Sequence, residues 1–190
     1  MGHTGRVHPA LFYLPGRRLT QTELSAARLD GVVVELGEGY IPADLVENAA
    51  TRASSLGPLI PRGLAASGPS AAWIHGAGDA APAPHHARRA SVLRVRAPQD
   101  ARLVVHDTRL PEADVLRIGG VEVTTPLRTM IDLAIGAHRH ASFHGWLVAL
   151  DEIVPELAAD ALDAVRSLTR VPGTREAVRL LERILAARTT

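Results

Sequence analysis

The segment that most constrains the fold is a short strand that runs directly into a helix. Val121 and Val123 alternate with polar neighbours, the pattern of a strand with one buried face. Thr125 is a good helix N-cap, and Pro126 follows at the first helical position, where its missing N–H costs nothing. The segment GGVEVTTPLRTMIDLA, residues 119–134, therefore predicts a rigid joint between a sheet and a helix.

The helix predicted from Pro126 to Ile135 has one apolar face. Its members fall at the i, i+3, i+4 and i+7 spacing of a face that packs on a core: Leu127, Met130, Ile131 and Ala134. Arg128 and Asp132 lie four residues apart on another face and can form an ion pair. The spacing of a phosphate-binding glycine loop is absent from the sequence. We interpret the segment as structural, with an anion site at the helix N-terminus as the alternative.

The pattern along the chain predicts an α+β fold in two parts. In the first part, residues 1–57, a helix between Thr20 and Gly31 precedes two short strands around Gly37–Gly39. A second helix is predicted from Leu45 to Leu56, with Asp44 as its cap. Helix, hairpin and helix resemble the last part of a winged helix-turn-helix unit, so this part is interpreted as a truncated winged-helix-like unit.

The second part, residues 58–190, is predicted to hold a small, mainly antiparallel sheet followed by C-terminal helices. A short helical turn after Pro58 and a helix ending at Gly76 precede a polar loop at residues 77–90. The predicted strands are Ser91–Arg96, Arg102–Asp107 and Val115–Thr125, the last interrupted by a glycine turn. The predicted later helices are Ala141–Ile153, Pro155–Leu168 and Thr174–Ala187.

Charge is unevenly distributed along the chain. The 21 basic residues are all arginines, and the formal net charge is +1. Residues 88–109 carry six arginines against two acids, and residues 166–190 carry six against two, whereas residues 110–165 are acidic. Two basic zones fit a nucleic-acid surface, and they fit equally well a set of solvated faces that pair with one another.

Composition weighs against several functional classes. No stretch is apolar for the roughly 18 residues of a membrane helix, and the sequence lacks cysteines, so we expect a cytoplasmic protein without a thiolate site. The nine histidines include His85 and His86 in the predicted loop and a cluster at His138, His140 and His144. We interpret these as solvent-exposed and predict no metal, cofactor or catalytic residue. Trp73 is expected to anchor the core and His75 to form a hydrogen bond.

The combination of four segments resembles a known family. These are LGEGYIPAD, GPSAAWIHGA, a loop rich in Pro, His and Arg, and RLVVHDTRLPEADVLRIGGVEVTTPLRTMIDLA, which together span Leu36 to Ala134. They resemble the AbiEi-type antitoxins of bacteria, particularly short actinobacterial members. The string TTPLRTMIDLA also occurs where a Vsr-like endonuclease domain follows, so it is typical of an architecture more than of an activity.

The resemblance implies an N-terminal winged-helix part that binds promoter DNA and represses transcription. It also implies an α/β C-terminal part that counters a nucleotidyltransferase toxin. We accordingly predict a non-enzymatic, antitoxin-like transcriptional regulator without membrane association. Its DNA contacts are predicted at arginines of both parts: Arg17, Arg18, Arg28, Arg88, Arg89, Arg94 and Arg96.

Two alternatives remain at this point. A degenerate Vsr-like nuclease relative would gather acids near Arg128, and the candidates are Asp107, Asp114 and Asp132. A protein-interaction module would use an apolar face of the last helix, at Val178, Leu181, Ile184 and Leu185, which otherwise packs on the domain.

Overall fold

The first secondary-structure elements that the structure describes are a helix and a β-hairpin. The computed structural model describes residues 12–93, 95–96 and 99–188. Helix α1 spans Gln21–Leu29 and starts at a capping box in which Thr20 and Glu23 bond reciprocally. Strand β1 (Val33–Leu36) then pairs antiparallel with β2 (Gly39–Pro42). The helix and hairpin predicted from sequence are both confirmed.

Helix α2 is shorter than the sequence predicts. It spans Ala49–Ser55, and the residues from Leu45 to Glu47 are not helical. The predicted Asp44 cap is wrong because Asn48 caps the helix instead. The Asn48 Oδ1 atom accepts from the backbone N–H groups of Ala50 and Thr51, at 2.9 and 3.1 Å.

A five-stranded mixed sheet forms the centre of the molecule. Its strands are β3 (Leu64–Ala66), β4 (His85–Arg89), β5 (Leu103–His106), β6 (Val115–Ile118) and β7 (Val121–Thr124). They lie in the order β5-β4-β3-β7-β6, and a 3₁₀ turn at Glu112–Asp114 precedes β6. The β3–β4 and β6–β7 pairs are antiparallel, and the β3–β7 and β4–β5 pairs are parallel. The α+β class is thus confirmed, with parallel pairing as an added feature.

Two strands lie where the sequence predicts none. Strand β3 follows the predicted helical turn, in which the Leu59 and Ile60 N–H groups donate to the Leu56 carbonyl oxygen, and β4 lies inside the predicted polar loop. Neither strand alternates between buried and exposed residues, because all three residues of β3 and the first three residues of β4 are buried. The strand predicted at Ser91–Arg96 is wrong: its described residues are not in a strand, and Val92 and Leu93 are 69% and 78% exposed.

The helices of the second part lie within a few residues of their predicted bounds. They are α3 (Gly68–Ile74), α4 (Pro126–Gly136), α5 (Phe143–Ile153), α6 (Leu157–Ser167) and α7 (Thr174–Arg188). Helix α4 packs against α3, α5, α6 and α7 and so connects the sheet to the helical layer. None of the described helices is long and apolar enough to cross a membrane.

The predicted joint between β7 and α4 is confirmed. The Thr125 hydroxyl accepts from the Arg128 backbone N–H at 3.1 Å, so Thr125 is the N-cap. Of the predicted apolar stripe, Met130 and Ala134 are fully buried, whereas Leu127 is 38% exposed. The buried face is rotated towards Thr129, whose hydroxyl lies 2.7 Å from that of Thr124 on the preceding strand.

Two large apolar clusters make the core. One lies between helices α4–α7 and includes Leu181 and Ile184, so the α7 face packs on the protein itself. The other lies between the sheet, α2 and α3 and surrounds Trp73, which is 1% exposed as predicted. This second cluster joins residues before position 64, such as Ile41, Leu56 and Ile60, to the sheet strands that follow.

Candidate functional site

A cleft of about 500 Å³ lies between the sheet and the helical layer. Its polar wall comes from β4, β5, α4 and the turn after α4: His86, Arg88, His106, Arg128, Asp132, Arg139 and His140. Its apolar wall includes Ile131, Ile135, Phe143 and Leu168. We call it the histidine–arginine cleft. Because the sequence predicts a loop where β4 lies, it does not predict this cleft.

Asp132 holds two arginines of this cleft in place. Its Oδ1 atom accepts from Arg88 Nη1 at 2.8 Å and from Arg128 Nε at 3.0 Å. Arg128 also donates from Nη1 to Asp114 Oδ2 at 3.0 Å. The predicted Arg128–Asp132 pair is therefore confirmed, and it is one half of a larger network. Charge-assisted bonds of this kind fix the direction of the guanidinium groups.

Burial shifts the pKa values in this network. Desolvation raises the pKa of Asp132, and the guanidiniums of Arg88 and Arg128 act in the opposite direction. Desolvation also lowers the pKa of Arg88. Arg88 Nε and Asp132 Oδ2 are buried without a hydrogen-bond partner among the described residues. Such atoms are uncommon in folded proteins, so the network has unused hydrogen-bonding capacity.

The histidines of the cleft contact one another and Phe143 through their rings. His86 Nδ1 lies 3.2 Å from His106 Nε2, and the two rings are stacked with centroids 5.5 Å apart. The His140 ring is stacked on Phe143 at 4.9 Å. Burial, with a smaller contribution from the neighbouring His106, lowers the pKa of His86 to about 4. Burial and the Arg88 charge lower the pKa of His106 as well.

Several histidine predictions are changed by this geometry. His85 and His86 lie buried on β4 rather than in an exposed loop. His140 does not share a helical face with His144, because α5 begins after it at Phe143. His75 does form the expected hydrogen bond, with Nε2 2.7 Å from the Thr124 carbonyl oxygen.

The acids considered for a nuclease are bound to arginines. Asp114 and Asp132 meet at Arg128, whereas Asp107 pairs with Arg89 at 3.1 Å. Within residues 12–93, 95–96 and 99–188, no group of three or more acids and histidines is arranged to hold a metal ion. The carboxylates therefore neutralise and position guanidiniums, and the cleft presents chiefly N–H donors.

The arginines predicted to contact DNA lie in different places. Arg17, Arg18, Arg28 and Arg96 are exposed, and Arg88 and Arg89 are partly covered and paired with carboxylates. Arg94 lies outside the described residues. Among the described members of the set, Arg88 alone lines the histidine–arginine cleft.

Arg17 and Arg18 instead line a second cleft of about 830 Å³, which we call the N-terminal cleft. Arg102, a residue that was not predicted as a contact, also lines this cleft, and it is paired with Glu38. The segment carrying Arg17 and Arg18 is attached to β2 by two 2.9 Å backbone bonds between Tyr13 and Tyr40. These two arginines form no ion pair with another described residue.

The tip of the β1–β2 hairpin packs on the rest of the protein. Glu38 forms an ion pair with Arg102, and its Oε1 atom lies 3.5 Å from His85 Nε2. Gly37 has φ +54°, and a Cβ there would lie 2.2 Å from Ser55 Oγ on α2. A hairpin pressed this closely against α2 and the sheet does not extend outwards as a free wing.

One comparison with known families gives a match. A family model described as the AbiEi antitoxin C-terminal domain matches residues 64–183. This range contains the whole mixed sheet and every residue named above for the histidine–arginine cleft. No curated protein matches the chain.

Proposed function

This chain belongs to the AbiEi antitoxin family, and we propose that it is a non-enzymatic transcriptional regulator that associates with DNA through exposed arginines. The family membership supports the antitoxin role. The DNA contact is proposed on the position of Arg17 and Arg18, which lie on an anchored segment and form no ion pair with any other residue that the structure describes. Unpaired surface arginines are the residues that bind phosphate by charge and by bidentate hydrogen bonds.

We place the main contact at Arg17, Arg18 and Arg28. Arg28 lies in the last turn of α1, directly before the hairpin. Arg89 and Arg96 form the second proposed contact, with Arg94 beside them in the sequence. Arg88 contributes less directly, because its side chain is 18% exposed and bound to Asp132.

The proposed functional partner is a nucleotidyltransferase toxin. The resemblance to AbiEi antitoxins supports this proposal, which does not require a stable complex between the two proteins. Co-expression tests it: the antitoxin should restore growth when a nucleotidyltransferase encoded next to its gene is produced. Continued growth arrest would contradict the antitoxin role.

A titration against the DNA upstream of the gene tests the DNA contact. We expect the logarithm of the binding constant to fall linearly with the logarithm of salt concentration. An Arg17→Gln, Arg18→Gln double variant should reduce that slope by about 1.8, or about 0.9 for each phosphate contact. Arg179→Gln, which replaces an exposed arginine of α7, is the matched control. Affinity that does not depend on salt would contradict the proposal.

A further inference from the structure

The histidine–arginine cleft has features that DNA association at the N-terminal segment does not use. We propose that it binds a small phosphate monoester of about the size of a mononucleotide. The argument rests on the charge, hydrogen-bonding groups and dimensions of the cleft, and it does not depend on DNA binding.

The charge of the cleft favours an anion. Three guanidiniums, those of Arg88, Arg128 and Arg139, line the cleft, and two carboxylates oppose them: Asp132, which also lines it, and Asp114, which is bonded to Arg128. Arg139 is exposed, and its only side-chain bond among the described residues runs from Nε to His138 Nε2 at 3.1 Å. Its two Nη groups are therefore available to a phosphate, which accepts bidentate hydrogen bonds from arginine.

Further polar groups point to an ester rather than to a bare anion. Ser67 stands at the N-cap of α3 and is 3% exposed, yet its side chain makes no capping hydrogen bond. A serine at this position normally caps its helix. The Ser67 and Thr108 side chains both line the cleft, where their hydroxyls can bond to the hydroxyls of a sugar.

The dimensions also suit an organic phosphate. The volume of about 500 Å³ is within the range of roughly 300–1,000 Å³ typical of small-molecule sites, and it exceeds what a phosphate ion fills. The stacked pair of His140 and Phe143, with Ile131 and Ile135, supplies an apolar wall for a ring. A phosphate at Arg139 and a ring on this wall would occupy both halves of the cleft.

Calorimetry on the full chain tests the proposal with defined probes: AMP, CMP, adenosine, cytidine and inorganic phosphate at constant ionic strength. We expect each nucleotide to bind at least tenfold more tightly than its nucleoside and than inorganic phosphate. The side-chain NMR signals of His86, His106 and His140 should shift on nucleotide addition. Equal binding of nucleotide and nucleoside, or no binding of either nucleotide, would overturn the proposal.

Matched variants locate the site. Arg139→Gln should weaken nucleotide binding at least tenfold, whereas Arg179→Gln, on the exposed side of α7, should leave it unchanged. Circular dichroism and the melting temperature check that both variants remain folded. An equal loss in the two variants would show general charge attraction and contradict the proposal. The histidine NMR shifts in the unmodified chain keep the proposal testable should Arg139→Gln fail to fold.

Discussion

Glu38, at the turn of the β1–β2 hairpin, forms an ion pair with Arg102 immediately before β5. The two residues are distant in the sequence, and their contact ties the N-terminal hairpin to the edge strand of the mixed sheet. Glu38 also lines the N-terminal cleft, as do Arg17 and Arg18. We therefore expect Glu38 to favour folding and to weaken the proposed binding of DNA.

We predict that Glu38→Gln lowers stability and strengthens DNA binding. The loss of free energy of unfolding should be small, about 0.5–1 kcal/mol, because Arg102 is largely exposed. DNA affinity should rise because a negative charge is removed from the cleft that Arg17, Arg18 and Arg102 line. Urea denaturation and a DNA titration measure the two effects. Glu35→Gln, on the exposed face of the same hairpin, should change stability little, and a similar loss there would argue against the ion pair.

Asp132→Asn should be strongly destabilising. It removes the charge that compensates Arg88 and Arg128 in a site where the Asp132 side chain is 9% exposed. Breaking a buried ion pair leaves the partners uncompensated and costs about 3 kcal/mol or more. Chemical denaturation measures the effect, with the 85% exposed Asp163 as the site of the control Asp163→Asn. A loss of less than about 1 kcal/mol in the free energy of unfolding would show that the Asp132 charge does not hold this ion-pair network together.

Stability should fall as the pH is lowered from about 6.5 to 4, in part because of His86. The pKa of this histidine is about 4 in the folded protein and 6.5 in the unfolded chain, so the unfolded state binds more protons in this window. The contribution is no more than about 3 kcal/mol, since solvent reaches the cleft.

His86→Gln should flatten the pH dependence of unfolding over this range, and His144→Gln, at an exposed position of α5, should not. Denaturation curves at several pH values provide the measurement. Identical pH profiles for the unmodified chain and His86→Gln would contradict the assignment.

Leu181→Ala should destabilise the protein by about 2–5 kcal/mol, because it leaves a cavity where Leu181 is fully buried between the helices. Leu29→Ala, at a position that is 81% exposed, should cost less than about 0.5 kcal/mol. Thermal or urea unfolding distinguishes the two. If Leu181→Ala leaves the stability unchanged, the α7 face does not pack as described and becomes a candidate surface for binding a partner.

Features that depend on neighbouring residues could be predicted from the sequence. The capping box at Thr20 and Glu23, the joint at Thr125 and the ion pair between Arg128 and Asp132 each join residues at most four positions apart. Their physical causes, hydrogen bonds at a helix start and spacing along a helix, can be recognised without knowledge of the rest of the chain.

The histidine–arginine cleft could not be predicted in the same way. His86 and His106 meet because β4 and β5 pair in parallel, in a register that sets Arg88 opposite His106. Strand β4 lacks alternation and follows a proline-rich stretch, so its pattern indicates a loop. Because β4 is not part of the predicted sheet, the sequence does not bring the residues of the cleft together. Arg139 and His140 are then interpreted only as surface residues.

The apolar cluster around Trp73 extends beyond the region that the family model matches, so the matched region is smaller than the unit that folds. The family match begins at residue 64, yet Ile41, Leu56 and Ile60 complete the cluster on which the matched strands rest. A fragment cut at the start of the match would expose the underside of its own sheet to water. Expression trials should therefore keep the hairpin and α2, even where only the C-terminal half is of interest.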